Sequence, residues 1–182
     1  EKNTGKECKE FRNGDHTTTL MRTAKGKVIE IQHNVMTPQP YNRLFKLTGT
    51  KGYATKYPTP EFALSGEALK GTDAPQMDNL NAHGFMNAEQ KKALQKKYYH
   101  PILTKYVEKG RQMGHGGMDY VMDARLVYCL QNGLPLDMDV YDLAEWCCLA
   151  ELGALSMDNN CAAVSFPDFT RGHWNEVNGY KH

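Results

Sequence analysis

Strong charge of either sign is missing from this sequence. Its 22 Lys and Arg residues stand against 21 Asp and Glu residues, for a net charge of +1. So close a balance leaves no footprint for nucleic acid or for an anionic membrane surface, and neither is expected as a partner. Long apolar runs are missing as well. No stretch approaches the roughly 18 residues of a membrane span. No signal peptide is visible. That decides nothing in a chain that begins at Glu1 rather than at Met and reads as a fragment or a processed or trimmed product. A disulfide framework is missing too. The five cysteines are Cys8, Cys129, Cys147, Cys148 and Cys161. The count is odd, and Cys129, Cys147 and Cys148 fall inside apolar helical runs, as small buried hydrophobes do. Reduced thiols are expected, which leaves the compartment open. No HExxH, no CxxC and no clustered His/Asp set is present, so no metal is expected. Walker loops, internal repeats and low-complexity segments are absent.

What is present belongs to an ordinary globule. The chain has 182 residues, 40% hydrophobic and 24% charged. That suffices for one domain with a real core, whereas two small domains would strain it.

The order of signals runs from sheet to helix. Residues 1–16 are polar and read as loop, with a short strand near Glu10–Arg12. Thr17–Thr23 and Val28–Val35 then form a hairpin around Ala24-Lys25-Gly26-Lys27, where Gly26 supplies the positive φ of the turn. On the return strand Ile29, Ile31, His33 and Val35 share one face, and Glu30, Gln32 and Asn34 share the other, which suits a sheet covered on one side. Thr37-Pro38-Gln39-Pro40 breaks the ladder. Arg43–Thr48 and Tyr53–Tyr57 form a second hairpin around Gly49-Thr50-Lys51-Gly52, for at least four strands in all. Residues 58–87 read as a long loop, mobile or a functional cover. Asn87 with Gln90 has the capping-box spacing for a helix over Ala88–Tyr99. Its Lys91, Lys92, Lys96 and Lys97 form a solvated face. Pro101 starts a helix that Gly110 ends.

The rest of the chain is organised around Gly114-His115-Gly116-Gly117-Met118-Asp119 and the helical run to Asn132 behind it. Met118, Val121, Met122, Arg125, Leu126, Cys129 and Leu130 make its amphipathic stripe. Gly133 stands at the C′ position, with Pro135 beyond. Asp137 or Asp139 caps a last helix over Val140–Met157, with Leu143, Ala144, Cys147, Ala150 and Ala154 as its buried stripe. A short strand follows at Ala162–Phe166. The expected fold class is α+β, an open, largely antiparallel sheet with helices packed on one face.

Two stretches carry candidate chemistry. Gly114–Gly117 fails the dinucleotide fingerprint. That pattern needs G-x-G-x-x-G directly after a strand, whereas Asp119 takes the third glycine position here and the preceding segment is helical. No cofactor cradle is therefore expected in this chain. His115 is a hydrogen-bonding or acid–base group at a helix N-terminus, or else a surface histidine in a turn. Asp119 holds a sugar-type hydroxyl, or is a first-turn carboxylate stabilised by the helix dipole. Tyr41, stiffened by Pro40, is a phenol aimed into a cleft, or a packing tyrosine. His33, on the apolar strand face, is expected to be a satisfied core histidine.

Three stretches together resemble the carboxy-terminal part of glycoside hydrolase family 109, within the Gfo/Idh/MocA oxidoreductase superfamily. The first is Gln32-His33-Asn34-Val35 with Pro38-Gln39-Pro40-Tyr41-Asn42-Arg43 and Gly49-Thr50-Lys51-Gly52. The second is His115-Gly116-Gly117-Met118-Asp119 with Arg125-Leu126-Val127-Tyr128-Cys129-Leu130-Gln131-Asn132-Gly133-Leu134-Pro135-Leu136-Asp137. The third is Pro167-Asp168-Phe169-Thr170-Arg171-Gly172. The likeness spans about Thr17 to Trp174. Departures from the family pattern fall at Asn34, at Ala124 and at Trp146-Cys147-Cys148.

The resemblance implies a dihydrodipicolinate-reductase-like carboxy-terminal domain over residues 1–182. Its amino-terminal Rossmann partner, which binds NAD, lies outside this chain. It implies transient oxidation of a glycoside at C3, elimination of the aglycone, hydration and reduction. Tyr41 matches the tyrosine after the family's Pro-x-Pro element and becomes the catalytic candidate. His115, Asp119 and Arg43 become substrate-binding candidates. A carbohydrate is the implied substrate, in a bacterial protein of the cytoplasm or the periplasm. The truncated sheet, with its open edges, is expected to make a homo-oligomer. This chain alone is expected to be inactive. The alternative is a non-catalytic carbohydrate-binding or dimerisation module.

Overall fold

The computed structural model describes residues 14–110 and 112–175. The chain divides into two compact units, residues 1–99 and 100–182. The fold class is α+β, with small open antiparallel sheets and four α-helices.

The first unit opens on the hairpin of β1 (His16–Arg22) and β2 (Val28–Asn34), paired antiparallel with Thr17 opposite His33 and Met21 opposite Ile29. Gly26 turns it at φ 79°. Both expected strands are present, but the apolar residues of the return strand are not buried. Ile29, Ile31 and Val35 are exposed, and so is His33, which is therefore no core histidine. A lone two-stranded ribbon has one partner for its backbone and none for its faces, so alternation alone does not bury a residue.

The second sheet is β3 (Lys46–Thr48), β4 (Gly52–Thr55) and β5 (Glu61–Leu64), antiparallel in that order. The strand expected from Arg43 starts only at Lys46, because Leu44 takes φ 47° and breaks the extended backbone. β5 corrects the long loop expected over 58–87. Its run of four residues sits just after Pro60, too short to show alternation, yet it pairs Ala63 with Tyr53. It also accepts the Met86 N–H on the Phe62 carbonyl at 2.7 Å. This sheet seeds the unit's core: Ala63, Ala74 and Met86 are buried.

Helix α1 (Ala88–Tyr98) begins in the expected capping box. The Asn87 side chain accepts the Gln90 N–H at 2.9 Å, and the Gln90 side chain accepts the Asn87 N–H at 2.9 Å. Lys91 meets Glu61 at 2.9 Å, tying α1 to β5.

The second unit is helical. α2 (Pro101–Gly110) leads through a 3-10 turn over Gly114–Gly117 into α3 (Met118–Asn132), and α4 (Val140–Asp158) follows. The Tyr106 and Tyr120 rings meet edge to face at 5.7 Å between α2 and α3. Gly133 closes α3 at φ 62°, as its position predicts. Asp139, not Asp137, caps α4, accepting the Tyr141 N–H at 2.7 Å and the Asp142 N–H at 3.1 Å.

Three expectations fail in this unit. Of the α3 stripe only Cys129 is buried, with Val121 and Arg125 half-buried. The α4 stripe is not buried: Leu143, Cys147, Ala150 and Ala154 are exposed and Ala144 is half-buried. α4 is apolar nearly all round, so periodicity could not choose a face. Residues 162–166 form no strand; instead the Ala162 carbonyl accepts the Ser156 hydroxyl at 2.8 Å. Cys129, Cys147, Cys148 and Cys161 are free thiols. Burial raises the Cys148 thiol above its ordinary pKa. The short strand expected near Glu10–Arg12 lies outside the described residues.

Candidate functional site

The first candidate cluster follows β2. Asn34 accepts the Thr37 N–H at 3.1 Å, which bends the chain out of the strand into the proline pair. The Asn42 side chain accepts the Leu44 N–H and turns the chain back. Between these two side-chain turns stands Tyr41, 71% exposed. The Arg43 guanidinium donates through Nε to the Tyr41 hydroxyl. Its Cζ also lies 5.5 Å from the centre of the Tyr41 ring. Tyr57, at the far end of the second hairpin, meets the Tyr41 ring edge to face at 5.9 Å.

Desolvation, then the hydrogen bond with Tyr41, holds the Tyr57 hydroxyl above its ordinary pKa, while Arg43 opposes the shift. The Tyr41 oxygen thus accepts from Arg43, and its hydroxyl shares a hydrogen bond with that of Tyr57. A phenol so placed can donate to an oxygen of a bound molecule. Sequence reasoning missed Tyr57. Its only signal was the Tyr57-Pro58 junction, a tyrosine beside a proline as Tyr41 is beside Pro40.

The second cluster is built by backbone. After α2 the chain takes three successive left-handed residues: His115 at φ 52°, Gly116 at φ 66° and Gly117 at φ 95°. A histidine pays for this conformation where a glycine does not. Gly117 is buried against the end of α2. A Cβ there would stand 2.8 Å from the carbonyl carbon and oxygen of Gly110. The reciprocal Cβ on Gly110 would stand 3.2 Å from the Gly117 Cα. Gly117 thus admits no side chain without moving the Gly110 backbone, while a Cβ on Gly110 would need Gly117 to give by a few tenths of an ångström. Gly110, read in the sequence as a mere helix end, is the partner that reasoning missed.

The reversal brings His115 Nδ1 to 2.8 Å from Asp119 Oδ2, one helical turn on. The side chains are 75% and 52% exposed, so the pair is worth little as an ion pair. It matters as an orienting contact.

Further along, Arg125 grips Asp137 with two prongs, Nε to Oδ2 at 3.0 Å and Nη2 to Oδ1 at 2.9 Å. This ties α3 to the approach of α4. The third motif closes on itself: Asp168 accepts the Thr170 N–H at 2.9 Å, together with the Thr170 hydroxyl and the Gly172 N–H. These bonds, the Thr170 hydroxyl foremost, lower the Asp168 pKa.

Tyr41 and Arg43 are thus brought together in the first unit, and His115 and Asp119 in the second. The glycine loop does not fit a dinucleotide. Asp119 stands in the place of the fingerprint's third glycine, the carboxylate lies 2.9 Å from where a Gly114 Cβ would stand, and Gly117 packs on Gly110. No group of three metal-ligating side chains occurs among the described residues. No helix among them is long and apolar enough to cross a membrane.

Comparison with known proteins gives this arrangement its context. The family described as glycosyl hydrolase 109, C-terminal domain, matches residues 1–176. This chain belongs to that family. It is 85% identical over 179 residues to glycosyl hydrolase family 109 protein 3 of Phocaeicola vulgatus, covering 98% of this chain and 32% of that protein. It is 70% identical to protein 5 of the same organism, covering 100% of this chain and 35% of the relative. Protein 1 of Bacteroides fragilis is 59% identical, with 100% and 39% covered. The chain therefore spans about a third of the length of the curated relatives it matches. What those names describe is a glycosyl hydrolase; this chain is its carboxy-terminal domain.

Proposed function

We propose that this family 109 domain is the substrate-side part of an enzyme that cleaves glycosides by transient oxidation at C3 of the sugar, elimination, hydration and reduction. NAD would supply that chemistry by taking and returning a hydride. It would be held by a Rossmann domain in the part of the protein that precedes these residues, as in the Gfo/Idh/MocA superfamily. No step through NAD is assigned to this chain.

What this chain supplies is hydrogen bonding and proton handling. Tyr41 is the catalytic residue. Its O–H donates to a sugar or aglycone oxygen while Arg43 holds the phenol from behind. Arg43 in the first unit and His115 in the second, with Asp119 beside it, are the groups offered for hydrogen bonding to sugar. The observation that carries the reading is the Tyr41 phenol itself. It is exposed, with its oxygen engaged by Arg43. Membership of a glycosyl hydrolase family supports the substrate class. The exposed faces and edges of the β1–β2 hairpin support a homo-oligomer, which light scattering on the full-length protein checks. A clean monomer would count against it.

The test of the chemistry is turnover of an aryl glycoside in D2O by the full-length protein. Elimination breaks the C2–H bond and hydration rebuilds it from solvent. The released sugar is expected to carry one deuterium at C2. A sugar released without it would mean direct displacement and would overturn the redox route.

A further inference from the structure

The turn over residues 114–119 fixes more than the place of His115. An ionised carboxylate only accepts, so the Nδ1 atom 2.8 Å from Asp119 Oδ2 must carry the proton. In the neutral ring the remaining lone pair then sits on Nε2, on the side away from Asp119. Three features hold this arrangement. His115 is in the left-handed region at φ 52°, which aims its side chain back over the first turn of α3. The Gly110–Gly117 crossing locks the backbone that follows. Gly114 leaves room for the carboxylate, whose Oδ2 would lie 2.9 Å from any Cβ there. Asp119 is also in the first turn of α3, next to the reversal that carries His115.

We propose that Asp119 does not meet the sugar, but is a positioning residue that sets the tautomer of His115, whose Nε2 accepts the hydrogen bond of a sugar hydroxyl. This rests on the reading of the domain as sugar-facing and assigns different work to its two polar groups. His115 touches substrate; Asp119 acts through His115. A carboxylate already committed to Nδ1 has less to offer a ligand. An imidazole with an uncommitted lone pair has an acceptor to offer and only a hydroxyl to seek.

The test uses the full-length protein and an aryl glycoside that it turns over. Asp119→Asn and His115→Ala are each expected to raise KM about tenfold, the cost of one hydrogen bond, with kcat within about threefold. The double variant is expected to be no worse than His115→Ala alone, because Asp119 has nothing to do once the ring is gone. Effects that multiply in the double variant would mean that Asp119 binds sugar itself and would overturn the proposal. So would an unchanged KM in Asp119→Asn.

Gly114→Ala gives a second route that leaves both groups in place. Its Cβ displaces the end of a flexible carboxylate rather than backbone, so the fold tolerates it, and KM is expected to rise as in Asp119→Asn. A separate readout needs no turnover. Slow alkylation with iodoacetate is expected to mark His115 at Nε2 alone in the wild type and at both nitrogens in Asp119→Ala. Alkylation at both nitrogens in the wild type would overturn the fixed tautomer. Regioselective alkylation in a protein that cleaves no glycoside would count against the proposed function, while the His115–Asp119 arrangement would stand.

Discussion

The Tyr41 cluster and the His115 cluster place comparable groups by opposite means. Around Tyr41 the work is done by side chains: Arg43 on the phenol oxygen, Tyr57 on the ring, Asn34 and Asn42 on the turns. Around His115 it is done by backbone, through three left-handed residues and a glycine–glycine crossing. A site set by side chains should lose function on mutation and keep its fold. A site set by backbone should lose its fold first.

The sharpest way to break that comparison is Gly117→Ala. The new Cβ would meet Gly110 backbone at 2.8 Å and would sit at φ 95°. Steric overlap and left-handed strain together are expected to cost about 3 kcal/mol. Differential scanning calorimetry of the full-length protein should show its Tm several degrees lower. Gly116→Ala is the control. Its Cβ meets nothing within 4 Å, so only the cost of φ 66°, about 1 kcal/mol, is expected. Equal losses in the two variants would mean that the crossing contributes nothing.

Next in size is Tyr41→Phe, which removes the proposed proton donor and keeps the ring contact with Tyr57. Activity on an aryl glycoside is expected to fall about 100-fold, with Tm unchanged within a degree or so. A fall in Tm with little loss of rate would make Tyr41 a packing residue and erase the contrast between the clusters.

Arg125→Lys follows. It keeps the charge but gives up the two-pronged grip on Asp137, and both groups are part-exposed. A small loss of stability in urea unfolding is expected, with no more than a small change in rate.

The smallest effect belongs to Asp168. Its folded pKa lies below the ordinary value, so its contribution to stability is present above the unfolded pKa and is lost as pH falls through the lowered value. Thermal stability measured downward from about pH 4 should therefore fall less steeply in Asp168→Asn than in the wild type.

How much of this was legible follows the same divide. Signals carried by one residue and its near neighbours read true: the Asn87–Gln90 box, the Gly133 stop, the hairpin around Gly26. His115 and Asp119 were visible as candidates, but the left-handed reversal over residues 115–117, not helical spacing, is what lets them meet. What failed depended on partners elsewhere in the chain. β5 was hidden because four residues after a proline show no period, and its strand character comes from pairing with β4. His33 and the α4 stripe were placed in a core by alternation and spacing alone, and those patterns do not say what covers a face. Tyr57 was invisible because its contact with Tyr41 crosses a whole hairpin. The left-handed His115 was masked by the glycines around it, which made the turn look merely flexible.

The central claim is that this domain serves a glycosidase that closes its own redox cycle. The most direct measurement follows nitrophenol release and NADH absorbance together while the full-length protein acts on nitrophenyl glycosides with NAD present. Nitrophenol without accumulating NADH is the predicted result. NADH that builds up without released nitrophenol would make the protein a sugar dehydrogenase and contradict the account.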